Sequence, residues 1–133
     1  MSKIPMEAVF YYTPAPSDKE TALRALCARL GIRFKVIAPD QAGQKLGALV
    51  GLPGFAAEEV PAASLADEVL ILHRFADRKI DVFLAAMRKA DIPRIALKAV
   101  VTEHNADWSL TALAAELQRE HDEFAKQYAA PQA

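Results

Sequence analysis

The 133-residue sequence predicts an α/β fold: a single three-layer domain whose four-stranded, mostly parallel sheet, in the order 2-1-3-4, carries helices on both faces. Three observations predict it. Apolar runs of strand length alternate with helix-length segments, the pattern of a sheet flanked by helices. The run Val69-Leu70-Ile71-Leu72 is apolar on both faces, as a central strand requires, whereas the runs around Lys35 and Lys98 carry charge, as edge strands do. Apolar residues make up 53% and charged residues 25%, so the chain can bury a core without disulfides or metal.

The elements follow in order. Ala8–Tyr12 is the first strand, stopped by Thr13-Pro14-Ala15-Pro16. Ser17-Asp18-Lys19-Glu20 is a capping box, in which the Ser17 hydroxyl takes the Glu20 amide and Glu20 reaches back. Leu23, Leu26, Cys27 and Leu30 then share a face, and Gly31 ends the helix with Ile32 closing it. Ile32–Ile37 alternates as an edge strand. Pro39-Asp40 opens a short helix through the glycine-rich stretch, and a loop runs from Ala56 to Asp67. After the central strand at Val69–Leu72, Asp77 caps a helix with the stripe Ile80, Phe83, Leu84 and Met87, which Asp91-Ile92-Pro93 ends. Arg94–Thr102 alternates as the fourth strand. The last helix starts near Ser109, with Leu110, Leu113, Leu117, Phe124 and Tyr128 on one stripe and His121 inside it. Residues 1–6 and 129–133 are expected to fray. The Gly31-Ile32 and Asp91-Ile92 junctions look alike, which reads as reuse of one local unit and not as a sequence repeat.

Totals exclude several partners. A net charge of -1 predicts no general attraction to nucleic acid or to an acidic membrane. Cys27 is the only cysteine and fits a reducing compartment. Met1–Glu7 has no apolar core of signal-peptide length, and no apolar run approaches a membrane span, so a soluble cytoplasmic protein is expected.

In a parallel sheet of this order, a ligand would lie beyond the carboxyl ends of the strands, where the order reverses. That rim would gather Thr13, Ser17, His73 and Arg74 with Thr102, Glu103, His104, Asn105 and Asp107. Carboxylates at or near every helix start (Asp18, Asp40, Asp77, Asp107) repel phosphate, and the glycine spacing matches no nucleotide motif. His73, His104 and His121 lie far apart in sequence, so no metal and no cofactor is expected. Cys27 reads as a buried thiol and Ser17 as a cap. His104 with Asp107 could form a base and its orienting acid; the same residues are ordinary in a turn leading into a capped helix. Trp108 can staple the last helix or anchor a partner.

Four of the five glycines fall between Gly43 and Gly54. Gly43, Gly47 and Gly51 would lie along one side of a helix, permitting close packing on the sheet or across a subunit interface, at about 1 kcal/mol per glycine relative to alanine. Gly51 reads as the helix stop, Pro53-Gly54 as a type II turn, and Phe55 as the return to the core.

"LGALVGLPGF" (Leu46–Phe55) and "LKAVVTEHNADWSL" (Leu97–Leu110) together resemble the small bacterial family catalogued as domain of unknown function 3783. The resemblance runs from about Asp40 to Leu117. It implies no activity, substrate or cofactor. It implies that Gly47, Gly51, Pro53, Gly54, Lys98, His104, Asn105 and Trp108 belong to the family's recurring pattern. Where related chains often carry glycine before the fourth strand, this chain has Asp91.

The lack of any complete catalytic set points to a non-enzymatic binding or interaction module, with Phe55 added to the pattern residues as ligand or interface positions. Its partner would be a second copy, another protein or a small molecule. The alternative is a small enzyme with a site centred on His104 and Asp107.

Overall fold

A computed structural model of the chain describes residues 7–58 and 65–129. Its elements are β1 (Ala8–Tyr12), α1 (Asp18–Leu30), β2 (Arg33–Val36), a 3-10 turn at Pro39–Gln41, α2 (Leu46–Val50), β3 (Val69–His73), α3 (Asp77–Lys89), β4 (Lys98–Val100) and α4 (Leu110–Ala129). The sheet order is β2-β1-β3-β4. β1 with β2 and β3 with β4 are parallel; the central pair, β1 with β3, is antiparallel, with Ala8 opposite His73, Phe10 opposite Ile71 and Tyr12 opposite Val69. The α/β class and the mostly parallel order therefore stand, with one reversal at the centre. The reversal has a simple cause. The chain enters β3 at the end of the sheet where it leaves β2, so it need not cross over.

Successive residues of β1 and β3 face opposite sides, and both sides are buried. Val9, Tyr11, Leu70 and Leu72 pack with Leu23, Leu26 and Cys27 of α1 and with Phe83 and Met87 of α3. Ala8, Phe10, Tyr12, Val69 and Ile71 pack with Leu46 of α2 and with Leu110 and Leu113 of α4. Each large apolar side chain removed from water in this way stabilises the fold by about 1.5–3 kcal/mol.

Several elements differ from the sequence-based expectation. Ser17 does cap α1, but its Oγ accepts from the Lys19 amide at 3.0 Å, and the Glu20 carboxylate pairs with Arg24 instead of closing a box. Leu30 is exposed, because it is the last residue of its helix. Asp77 is the first residue of α3, behind an Ala76 N-cap without a side-chain hydrogen bond. The glycine stretch is not one helix. Only Gly47 lies inside α2; Gly43 precedes it and Gly51, at φ 81°, ends it, so no continuous glycine stripe forms. The amides of Leu46 and Gly47 donate to the carbonyls of Trp108 and Ala106, each at 2.8 Å, and these bonds set where the helix begins. The fourth strand is confined to Lys98–Val100, since Asn105 folds the chain back just beyond it. On α4, Leu110 and Leu113 are buried, while His121 and Phe124 are exposed beyond the reach of the sheet. Pro61, residues 1–6 and 130–133 of the expected tails, and the side chain of Tyr128 lie outside the described residues.

The chain repeats one βαβα unit, a relation deeper than the two similar junctions suggested. The β1–β3 pairing is centred on Phe10 opposite Ile71, and a two-fold rotation through that pair carries Val9 onto Leu70. Their outer partners, Phe34 and Lys98, then correspond. Both first-face helices end in the same motif: Gly31 (φ 74°) and Asp91 (φ 58°) are left-handed, and Ile32 and Ile92 donate to the carbonyls of Cys27 and Met87. Beyond the edge strands the match continues. Leu46 donates to Trp108 and Leu110 to Gln44; Gly47 donates to Ala106 and Thr111 to Ala42. In this register Val36–Leu49 and Val100–Leu113 share Val36/Val100, Ala42/Ala106, Leu46/Leu110, Ala48/Ala112 and Leu49/Leu113.

Candidate functional site

The central reversal divides the polar rim that a fully parallel sheet would have gathered. Thr13 and Ser17 follow β1 at the end where β3 begins; His73, Arg74 and Thr102 lie at the opposite end. At the first end, Tyr11 Oη donates to Glu68 at 2.6 Å and Lys19 pairs with the other carboxylate oxygen. Burial, then the hydrogen bond to Glu68, holds the Tyr11 phenol above its ordinary value, so it stays a donor. At the other end, His73 is buried, and its Nδ1 has no hydrogen-bond partner among the described residues. Burial and the nearby Arg74 and Arg33 charges push its pKa down, keeping it neutral. Cys27, sealed on the first core face, has its thiol pushed up to about 11 by burial alone.

The glycine stretch and the His104 loop do meet, through backbone. Two of the four hydrogen bonds between the starts of α2 and α4 make Lys45 and Ser109 an isolated antiparallel bridge, and Lys45 Nζ lies 3.0 Å from Asp107. That ion pair takes the carboxylate that would have oriented His104, and no hydrogen bond joins His104 to Asp107 among the described residues. Asn105 is spent on its own turn. Its Oδ1 accepts from Thr102 N at 2.8 Å and its side-chain amide donates to Val100 O at 3.0 Å. Gln41 makes the matching bond to Ala38 N in the first half. Gly47 is needed because a Cβ there would stand 2.5 Å from the Phe55 ring. The Leu52–Phe55 turn has Pro53 and Gly54 at its centre, with Gly54 at φ 87° as a type II turn requires. Trp108 is partly exposed, and its backbone accepts from the Leu46 amide and donates to the Asn105 carbonyl.

Lys98 stands apart from this joint. It lines a cavity of about 470 Å³ between α3 and β4, with Leu84, Met87, Arg88, Ile92, Arg94 and Ile95. Met87, Ile92 and Ile95 are buried and form an apolar floor; Arg88 and Arg94 are exposed at its rim. Lys98 is half-buried and donates to the Ile95 carbonyl. Burial, and then the charge of Arg94, lowers its pKa. Among the described residues, no carboxylate pairs with Arg88, Arg94 or Lys98.

The duplication explains the cavity. At the equivalent place in the first half, Phe34 occupies the strand position of Lys98, and Arg24 the helix position of Leu84. There the guanidinium lies over the ring, 5.1 Å from its centroid. In the second half the link from helix to strand is longer. Only Arg33 separates Ile32 from Phe34, whereas Pro93–Leu97 separates Ile92 from Lys98. The added residues supply Arg94 and Ile95 to the cavity wall. Sequence reading placed Lys98 on an edge strand and missed Leu84, Arg88 and Arg94 as its neighbours. The signal was the repeated Val…Ala…Leu-x-Ala-Leu pattern, which aligns the halves and exposes the longer link.

No helix among the described residues is long and apolar enough to cross a membrane. No curated protein and no solved structure matches the chain. Gly47, Gly51, Pro53, Gly54 and Phe55 precede the segment that a family model does match; Lys98, His104, Asn105, Asp107, Trp108 and the whole cavity lie within it. That segment is residues 68–124, and the family it resembles is described as Domain of unknown function (DUF3783).

Proposed function

We propose that this protein is a non-enzymatic binding module that takes a small molecule in the cavity between α3 and β4. The observation that carries this reading is Lys98: a half-buried ammonium beside an apolar-floored cavity, with no carboxylate partner among the described residues. The size of the cavity suits a small ligand, and an apolar lining with a few convergent polar groups is the usual make-up of such sites. The segments that open α2 and α4 hydrogen-bond to one another, and Asp107 and Asn105 are engaged with Lys45 and with their own turn.

A thermal-shift panel of small metabolites tests the reading. A ligand that binds only the native state raises the melting temperature by mass action. Such a ligand should stabilise the wild type and lose its effect in Leu84→Trp, which puts an indole into the cavity mouth while leaving the buried core residues in place. Shifts of equal size in both proteins would move the binding site elsewhere.

A further inference from the structure

We infer that the occupant of this cavity is a small amphiphilic anion, an apolar body bearing one carboxylate or phosphate head that sits among Lys98, Arg94 and Arg88. The inference rests on the binding-module reading and specifies its ligand.

Three arguments lead to it. The first is charge. Three cations line the cavity with no acid among its lining residues, so the protein leaves positive charge uncompensated at one place. The two guanidiniums are at the mouth and can fork onto an oxyanion, while the ammonium is deeper and acts as a point charge. The second is the apolar floor of Met87, Ile92 and Ile95, which offers an inorganic anion nothing but suits a hydrocarbon chain or ring.

The third argument comes from the repeat. The fold does not need a lysine at this place, because the first half has Phe34 there, stacked under Arg24. A half-buried ammonium loses part of its hydration and, among the described residues, receives one carbonyl in return. Arg94, brought in by the longer link, adds a second positive charge beside it and makes the site worse on its own account. An anion removes both penalties together. Apolar contact alone would have been served by keeping the aromatic residue, and a cationic or neutral ligand would gain nothing from the added arginine.

Calorimetric titration of the full chain with matched eight-carbon probes tests this. Octanoate, octyl phosphate and octan-1-ol share a tail and differ in head. The acids should bind at least about tenfold more tightly than the alcohol, the scale of a hydrogen bond to a charged group. Whichever acid binds more tightly assigns the head as carboxylate or phosphate. Lys98→Met should remove most of that advantage while melting at the same temperature or higher, since the buried charge is gone. Should that variant not fold, Arg94→Gln, on an exposed link, should reduce the advantage in the same direction. Equal binding of alcohol and acids, blocked by Leu84→Trp, would overturn the anion inference and leave the binding-module reading intact. Absence of binding by every probe, or binding that Leu84→Trp does not alter, would count against both.

Discussion

Gly47 shows how one missing side chain can look like an interface. Its Cα lies under the Phe55 ring of the same chain, so the close approach it allows is made internally. Gly47→Ala should therefore lower stability by about 1–3 kcal/mol through overpacking. Adding Phe55→Ala to it should restore part of that loss, a non-additivity that denaturant melts of the four proteins would measure. His73 makes a prediction of another kind. Its folded pKa lies below its unfolded value, so the unfolded chain takes up a proton that the native state refuses. The stability it contributes is therefore present above the unfolded value of about 6.5 and is lost progressively as pH falls from there through the lower folded pKa. His73→Leu removes this titration along with the unpartnered Nδ1. Its melting temperature should change less between pH 7 and pH 5.5 than that of the wild type. Neither effect was legible in the residues alone. Sequence identified Gly47 as unusual, but which ring it accommodates depends on a turn closing over it.

At the scale of the element, the ends of α1 and α3 are the clearest case of local chemistry deciding structure. Gly31 and Ile32 formed the expected left-handed stop, and Asp91 with Ile92 formed the same one without glycine. A left-handed conformation costs a residue with a Cβ about 1–2 kcal/mol, and glycine returns part of that saving as unfolded-state entropy. Asp91→Gly should thus raise stability by about 0.5–1 kcal/mol in urea melts, whereas Gly31→Ala should lower it by about 1 kcal/mol. The glycine-rich stretch was less legible. Spacing alone suggested one helix with a bare stripe, yet α2 begins only at Leu46 because carbonyls from the Ala106–Trp108 segment hold its first amides. The fourth strand was overestimated for a related reason. Arg94–Leu97 has the alternation of a strand, but it forms the lengthened link that walls the cavity.

Over the whole molecule, β1 and β3 occupy the centre and are buried on both faces, while β2 and β4 are the edge strands of the sheet among the described residues. Native-state hydrogen exchange should be slowest at the amides of Val9–Tyr11 and Leu70–Leu72 and faster at β2 and β4, because central strands open only with the global transition. Equal protection at the edges would contradict this order. Local pattern was sufficient for the elements, for their order and for the apolar content of both faces, because period, charge and caps are properties of neighbouring residues. It was sufficient also to mark Gly47 as out of the ordinary, while Lys98 and Asn105 were singled out by the resemblance to a family pattern. Strand direction was not a local property. Parallel and antiparallel central pairs bury the same side chains, so nothing in the apolar pattern distinguishes them; the choice followed from where the chain re-enters the sheet. That one choice separated Thr13 and Ser17 from His73 and Thr102 and brought the starts of α2 and α4 together.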